Sequence, residues 1–235
     1  MLIKSGFEVV SHIPNHPTDE LKKEPMFYRA SRDYAYEKGG DIMKNFIDHL
    51  PEEWDDLDSD DILIDSRTHM LMETWIPCIG GFHMDAIRRG ENGQPDFNEP
   101  GDAEHVIVWI GDDVSPTQML TGALNIDLPE ELDRPVWSYF DDEVKKQMQI
   151  QESVKQHAIE RGLPNAGYDE DELRIFTTKC GDMIKFGFGG LHRGTPSKGS
   201  GWRHFIRASV RTGFKPENEI RTQVQAYIPD ASYGW

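Results

Sequence analysis

Three residues that can bind a transition metal occur in two short segments of the chain. His83 and Asp85 lie two residues apart in Gly-Gly-Phe-His-Met-Asp, and His192 lies far downstream in Leu-His-Arg-Gly. Residues i and i+2 of an extended strand point to the same side, so His83 and Asp85 can reach one ion together. Two imidazoles and one carboxylate on one face of a metal form the ligand set of non-haem Fe(II) oxygenases. We therefore predict a mononuclear iron site whose third ligand, His192, comes from a neighbouring strand.

Two arginines downstream of His192 can bind an anion beside this site. Arg203 follows His192 by eleven residues, and Arg207 follows it by fifteen, with Ser209 two residues further on. A planar guanidinium binds a carboxylate through two parallel hydrogen bonds and stays charged at any working pH. In a strand, Arg203, Arg207 and Ser209 share one face. Either arginine can therefore point toward the metal.

This combination resembles the Fe(II)/2-oxoglutarate-dependent dioxygenase superfamily. The pattern of that superfamily is His-x-Asp, a long interval, His, and then Arg, often as Arg-x-Ser. The resemblance covers roughly residues 62–212. The stretch His-Arg-Gly-Thr-Pro-Ser-Lys from residue 192, with Arg207-x-Ser209 after it, is similar in spacing to the ten-eleven-translocation methylcytosine dioxygenases. That closer similarity concerns one loop and one strand.

The resemblance implies a full set of cofactors and roles. His83, Asp85 and His192 would hold Fe(II), and Arg207 would pair with the distal carboxylate of 2-oxoglutarate while Ser209 donates a second hydrogen bond. Related oxygenases also use the spacing of Arg203, which is the rival anchor; we prefer Arg207 for its serine partner. With O2 as co-substrate, the implied reaction is hydroxylation of a C–H bond, with succinate and CO2 as co-products.

Charge is distributed unevenly along the chain. The net charge is -17, yet residues 184–215 contain no Asp or Glu. The basic residues of that segment are Lys185, Arg193, Lys198, Arg203, Arg207, Arg211 and Lys215. A local positive field within an acidic protein favours capture of a small dianion.

Length and composition predict one enzyme-sized domain spanning residues 1–235. A chain of 235 residues with 37% hydrophobic and 29% charged residues can bury a substantial core. No run of eighteen apolar residues is present, and the amino terminus lacks the apolar region of a secretory signal, so we expect a cytoplasmic protein without membrane contact. Cys78 and Cys180 match no zinc spacing and are expected to be free.

Periodicity predicts strands for most of the chain and helices at two places. Residues 1–60 are expected to form a partly helical layer, in which an apolar stripe predicts a helix over 41–50. Residues 52–61 carry seven acids and no base and are expected to form a solvated loop. A helical insertion is predicted over 141–162. The predicted strands are 61–75, 105–110, 118–128, 173–178, 183–186, 205–211 and, at an edge, 223–228.

These elements predict a mainly β fold with flanking helices. A double-stranded β-helix, the cupin-like jelly roll, is the core that accounts for both the strands and the metal-binding motif. Its two sheets face each other across a cavity, so ligands that are distant in sequence can converge on one metal. The glycine-rich residues 187–190, just before His192, predict a close approach of the backbone to the site.

The sequence leaves the substrate open. We favour a small molecule, with a nucleobase of DNA or RNA or a protein side chain as alternatives. The loop similarity and a basic pair, Arg88 and Arg89, favour a nucleobase, but a pI of 4.8 argues against a broad nucleic-acid surface. A cupin-like metalloprotein that does not use 2-oxoglutarate and a noncatalytic binding protein remain as other classes. Several aromatic and polar residues near the motif can line the pocket, although packing is the commoner role of each. They are Trp75, Trp109, Trp202, His69, His105 and His204. Strand parity predicts that His204 points away from the metal.

Overall fold

The structure is a computed structural model that describes residues 1–91, 94–97, 101–129, 131–161 and 169–221. Strands predominate over helices in it, as the sequence predicts. The strands are β1 (Leu2–Ser5), β2 (Glu8–His12), β3 (Met26–Tyr28), β4 (Ala30–Ser31), β5 (Ile62–Leu71), β6 (Glu104–Gly111), β7 (Thr117–Asn125), β8 (Arg174–Thr177), β9 (Asp182–Gly187), β10 (His192–Gly194), β11 (Gly201–Val210) and β12 (Glu219–Arg221). The α-helices are α1 (Thr18–Leu21), α2 (Arg32–Lys38), α3 (Asp41–Asp48) and α4 (Val136–Glu160).

The larger sheet has six strands in the order β2-β9-β6-β11-β5-β4. All of its pairings are antiparallel. Strand β11, which carries both candidate anchor arginines, lies in the interior of this sheet and is paired on both sides. Arg207 lies opposite Asp65 of β5 and opposite Ile107 of β6. The backbone of β11 is therefore held along its whole length.

The second sheet is built around β7. This strand pairs with β1 and β10, and β8 pairs with it as well. Within this sheet, His192 of β10 lies opposite Met119 of β7. An isolated antiparallel bridge then adds His83 beside His192. The segment that carries the His-x-Asp motif is thus attached to the second sheet through the third predicted metal ligand.

Side chains of β11 point alternately to a helix-facing side and to a cavity-facing side of the sheet. Ile206 and Ala208 of β11 pack in one cluster with Ile42, Met43 and Phe46 of α3. The apolar stripe predicted for residues 41–50 is confirmed. It packs on the six-stranded sheet, which removes its apolar side chains from water. The intervening residues of β11 face the other way, toward the second sheet.

The two sheets pack against each other on that other side. Met119 of β7 belongs to one buried apolar cluster together with Ile107 of β6 and Ile184 of β9. Helix α4 packs on the second sheet through Phe140 and Val144, in a cluster that includes further residues of β7. Each sheet therefore has helices on one side and the opposing sheet on the other.

Several predicted boundaries differ from the observed ones. The inserted helix begins at Val136 rather than at 141, directly after Pro135, because Val136, Tyr139 and Phe140 extend its apolar side onto the cluster of the second sheet. The first 60 residues contain four short strands besides helices, and the acidic segment 52–61 includes two 3-10 turns. The edge strand predicted over 223–228 lies outside the described residues.

The core against α3 predicts a large stability effect. Phe46 is fully buried in the cluster beneath the six-stranded sheet. We expect Phe46→Ala to lower the free energy of unfolding by about 3–5 kcal/mol, because it removes buried apolar surface and leaves a cavity. Chemical denaturation measures this value. Asp48→Ala, at an exposed position of the same helix, should change it by less than about 0.5 kcal/mol; equal effects would contradict the packing described here.

No helix in the described ranges is both long enough and apolar enough to cross a membrane.

Candidate metal centre and its cavity

His83 and His192 are direct neighbours in space. The backbone N–H of each donates to the carbonyl of the other, with both N···O distances at 3.0 Å. Their ring centroids are 4.5 Å apart. The two predicted ligands from distant segments are therefore brought side by side by backbone pairing, before any side-chain contact contributes.

Each imidazole is oriented by a hydrogen bond of its own Nδ1. The Nδ1 of His83 donates to the carbonyl of Gly81 at 2.9 Å, and the Nδ1 of His192 donates to the carbonyl of Gly190 at 3.0 Å. A carbonyl can only accept, so Nδ1 carries the proton and the lone pair of the neutral ring is on Nε2. Such a bond fixes the tautomer and orientation of metal-binding histidines. Burial lowers the pKa of His83 to about 4 and also lowers the pKa of His192, so both rings are neutral near pH 7.

A tight approach of small residues supports His192, as the glycine-rich segment predicts. The ring of Phe186 lies 4.9 Å from the ring of His192. A Cβ on Gly190 would lie 2.4 Å from Cδ2 of Phe186. Glycine at 190 is therefore needed for Phe186 to pack against the histidine.

Asp85 completes the set of candidate ligands. One ligand atom each from His83, Asp85 and His192 lies within 4.8 Å of the others, and Asp85 Oδ2 is 3.6 Å from His192 Nε2. Burial is the largest single influence and would raise the pKa of Asp85. The Arg207 guanidinium, 2.7 Å from Oδ2, together with the surrounding His192, His105 and His83, overcomes burial and holds that pKa well below its usual range. Two neutral imidazoles and an ionised carboxylate are thus available on one face, a donor set suited to Fe(II).

Arg207 and Ser209 have protein partners of their own. Arg207 bridges two carboxylates, with Nη1 on Asp85 and Nη2 3.0 Å from Asp65 Oδ2. Ser209 Oγ lies 2.8 Å from His105 Nδ1, in a separate contact. Arg207 therefore acts on a candidate metal ligand directly, and Ser209 contacts a histidine that the sequence identified only as one of several pocket candidates.

Within the described part of the chain, the rival arginine, Arg203, is buried without an acidic partner. Only 2% of its surface is exposed, its Nη2 donates to Thr117 Oγ1 at 2.7 Å, and its Nε has no hydrogen-bond partner among those same residues. Among the described residues, none forms an ion pair with it. Burial lowers the pKa of Arg203 to about 10, which still leaves it charged near pH 7. A buried charge without a counterion is costly, so this guanidinium is suited to receive an anion.

His69 lies beside Arg203 with both ring nitrogens unpartnered. It is 2% exposed, and among the described residues neither Nδ1 nor Nε2 has a hydrogen-bond partner. Burial, followed by the charge of Arg203, lowers the pKa of His69 to about 3, so the ring is neutral and can donate one N–H. Arg203, Thr117 and His69 together offer donors to one buried oxyanion.

Both groups of residues line one cavity of about 640 Å³. The predicted ligands His83, Asp85 and His192 line it, and so do Arg203, Thr117 and His69. Its size falls in the range of small-molecule sites. The same cavity is therefore lined by a candidate metal centre and by a candidate anion site.

Two of the other pocket candidates line the cavity in the described structure. His69 and His105 line the cavity. Trp109 donates its indole N–H to Thr178, and Trp202 packs with the helix-facing cluster. Trp75, Arg88 and Arg89 are absent from the cavity lining within the described part of the chain. Both cysteines are free, as predicted.

His204 points away from the cavity, as strand parity predicts, and its burial has a consequence for acid stability. It is fully buried with Nδ1 2.8 Å from Thr68 Oγ1, and burial lowers its pKa from 6.5 to about 3. Between these pH values the unfolded chain binds a proton that the folded chain does not, so stability falls as pH falls, by about 1.4 kcal/mol per pH unit.

We expect His204→Gln to reduce the slope of unfolding free energy against pH between pH 6 and pH 4. The expected reduction is about 1.4 kcal/mol per pH unit, which is the contribution of one proton. Urea denaturation of both proteins across this range measures the slope of unfolding free energy against pH. An unchanged slope in the variant would show that His204 is protonated in the folded state.

No protein-family model matches the chain, and a search of curated proteins also returns no match.

Proposed function

We propose that this protein is an Fe(II)- and 2-oxoglutarate-dependent dioxygenase, acting as a single catalytic domain. The observation that carries the proposal is the convergence of the His83, Asp85 and His192 ligand atoms in the same cavity as Arg203, a buried arginine that has no counterion among the residues that the structure describes. Binding of a metal alone would need only the three converging ligands, and binding of an anion alone would need only the buried arginine. A metal cofactor that is used together with an anionic co-substrate needs both features.

We further propose that the two sheets form a double-stranded β-helix. In support, the strands of the six-stranded sheet and those around β7 are antiparallel, and residues of both sheets line one cavity. The candidate ligands lie on the smaller sheet, and the candidate anchor lies on the larger one. This arrangement agrees with the fold that the sequence resemblance implies.

Arg203 rather than Arg207 is the proposed anchor of 2-oxoglutarate. Arg207 already contacts Asp85 and Asp65, whereas Arg203 has Thr117 as its hydrogen-bond partner. Thr117 and His192 belong to paired strands, with His192 opposite Met119, two residues from Thr117. Two residues of strand span ~6.6 Å, comparable to the length of a five-carbon diacid. The backbone spacing is therefore compatible with a diacid placed between the metal ligands and Arg203.

Each residue has a defined part in the proposed mechanism. His83 and His192 would hold the metal through Nε2, and Arg207 keeps Asp85 ionised and oriented beside them. Arg203, Thr117 and His69 would bind the distal carboxylate of 2-oxoglutarate. Fe(II), 2-oxoglutarate and O2, when bound, supply the oxidising chemistry that hydroxylates a C–H bond and gives succinate and CO2. The protein positions that bond and excludes water.

The primary substrate is proposed to be a small molecule, and the cell compartment to be the cytoplasm. A cavity of about 640 Å³ supports the first. Free cysteines support the second, because an oxidising compartment favours disulfides. The nucleobase alternative has less support here, since Arg88 and Arg89 are not part of the described cavity lining.

Anaerobic calorimetry tests this proposal. We expect one Fe(II) per chain and, once the metal is bound, one 2-oxoglutarate. Metal binding without 2-oxoglutarate binding would contradict the dioxygenase and favour cupin-like chemistry. A failure to bind any divalent metal would contradict both and favour a noncatalytic protein.

A further inference from the structure

His105 is a cavity residue to which the proposed binding of metal and 2-oxoglutarate gives no role. It lines the cavity and is 2% exposed. Its Nδ1 lies 2.8 Å from Ser209 Oγ, whereas its Nε2 is buried and has no hydrogen-bond partner among the described residues. A buried polar atom that is left without a partner costs about 1–3 kcal/mol. A ligand in the cavity that supplied this partner would recover that free energy.

A second histidine shows that an unpartnered Nε2 does not by itself make a binding site. His204 has its Nδ1 2.8 Å from Thr68 Oγ1, and its Nε2 is likewise buried without a partner in the part of the chain that the structure describes. His204, however, lies on the other face of the sheet and is not part of the described cavity lining. What distinguishes His105 is its place at the cavity, and His204 is therefore its matched control.

The position of His105 follows from the order of residues along β11. Arg203, Arg207 and Ser209 lie on the cavity-facing side of this strand in that order, and Asp85 contacts Arg207 at 2.7 Å. His105 of β6 lies opposite Ser209. With a rise of ~3.3 Å per residue, Ser209 lies ~6.6 Å beyond Arg207, and Arg203 lies ~13 Å before it. The candidate metal ligands therefore meet β11 between the proposed anchor of 2-oxoglutarate and the pair of His105 and Ser209.

The neighbours of His105 hold its ring near the metal centre and add apolar surface. The ring centroid of Phe186 lies 5.3 Å from that of His105 and 4.9 Å from that of His192. Leu63 of β5 lies opposite Ser209 and also lines the cavity. One polar atom among apolar side chains fixes the orientation of a ligand whose body is hydrocarbon.

The contact that His105 offers is uncharged. Burial lowers the pKa of His105 to about 4, so its ring is neutral near pH 7. The hydroxyl of Ser209 can rotate, and it can either donate to Nδ1 or accept from it. Nε2 is then a donor in the first case and an acceptor in the second. A ligand hydroxyl satisfies Nε2 in both cases, and a carbonyl oxygen satisfies it when it donates.

We propose that His105, positioned by Ser209, binds a hydroxyl or carbonyl oxygen of the primary substrate through Nε2. The substrate class is then a small alcohol or carbonyl compound, whose hydroxylated C–H bond lies between that oxygen and the metal ligands. The identification of this ligand as the substrate rests on the proposed dioxygenase function. The hydrogen bond to His105 does not.

Ligand-observed NMR titration with two matched sets of probes tests the contact. One set is 1-phenylethanol, acetophenone and ethylbenzene, and the other is cyclohexanol, cyclohexanone and cyclohexane. Within each set the probes share a carbon skeleton and differ in the oxygen. Zn(II) and saturating 2-oxoglutarate are present, so that the proposed metal site and anchor are filled. The measured quantity is the affinity of each oxygen-bearing probe divided by that of its hydrocarbon.

Variants locate the hydrogen bond. His105→Leu should lower this ratio about tenfold or more for at least one oxygen-bearing probe, because the ligand oxygen then lacks its partner. His105→Gln keeps a side-chain amide and should lower the ratio less, and Ser209→Ala should also lower it. His204→Leu should keep the wild-type ratio. A cavity that is merely loosened weakens both members of a pair, so the ratio separates the hydrogen bond from a structural effect. Near-UV circular dichroism checks that each variant is folded.

Three results would overturn the assignment of His105. The first is that the wild type binds none of the oxygen-bearing probes. The second is an unchanged ratio in His105→Leu, and the third is an equal fall of the ratio in His204→Leu. If the wild type binds no metal or no 2-oxoglutarate, the dioxygenase proposal fails instead. The same titrations without metal and 2-oxoglutarate then still measure the contact with His105.

Discussion

Arg203→Gln raises the dissociation constant of 2-oxoglutarate by about 100-fold or more while leaving Fe(II) binding within a fewfold of wild type. Arg203 is 2% exposed, and no acidic residue in the described part of the chain pairs with it. Removing one partner of a buried charge pair costs about 3–5 kcal/mol, and each 1.4 kcal/mol is about a tenfold change in affinity. Anaerobic calorimetry on the metal-loaded protein measures the effect.

The matched comparison is Arg207→Gln. Arg207 contacts the candidate ligand Asp85, so this change should lower Fe(II) affinity about 10-fold to 100-fold, as the loss of a residue that orients a ligand does. Its effect on 2-oxoglutarate, measured at saturating metal, should be much smaller than that of Arg203→Gln. The reverse pattern would make Arg207 the anchor. Arg203→Lys keeps the charge and should bind 2-oxoglutarate better than Arg203→Gln if the variants are folded.

Asp85→Ala abolishes Fe(II) binding at metal concentrations that saturate the wild type, and turnover is lost with it. The carboxylate is the anionic member of the candidate ligand set, and its removal leaves two neutral imidazoles. It also leaves Arg207 with Asp65 as its only carboxylate contact in the described structure. Metal binding is measured by calorimetry and by metal content after desalting.

A histidine elsewhere on the surface provides the control for the metal centre. His12 is exposed and contacts Asp182, and it is not part of the described cavity lining. His12→Ala should bind Fe(II) as wild type does. Wild-type metal affinity in Asp85→Ala would contradict the assignment of the three ligands.

Local patterns predicted much of what positions the site. The strand parity of residues 203–209 depends only on backbone geometry, which neighbouring residues fix. For the same reason, the apolar stripe of residues 41–50 identified α3. His204 was correctly expected to face away, because its parity is opposite to that of Arg207. His83 and Asp85 were expected on one extended strand, but His83 forms an isolated bridge and Asp85 lies in a bend outside the named strands.

Only tertiary contacts distinguish Arg203 from Arg207 as the proposed anchor of 2-oxoglutarate. Both arginines have the same parity in β11, so the sequence offered only the Arg-x-Ser motif to separate them. The deciding partners come from other strands: Asp65 lies on β5, and Thr117 lies on β7. A pairing between strands that are far apart in sequence has no local signal. The contact between His105 and Ser209 was missed for the same reason.

Succinate release on admission of O2 tests the central claim most directly. Wild-type protein is loaded anaerobically with Fe(II) and 2-oxoglutarate, O2 is admitted, and succinate is measured beside His192→Ala. We expect the wild type to form succinate as 2-oxoglutarate is consumed, and His192→Ala to form none. Equal succinate from both proteins, or none from a wild type that holds both Fe(II) and 2-oxoglutarate, would contradict the dioxygenase.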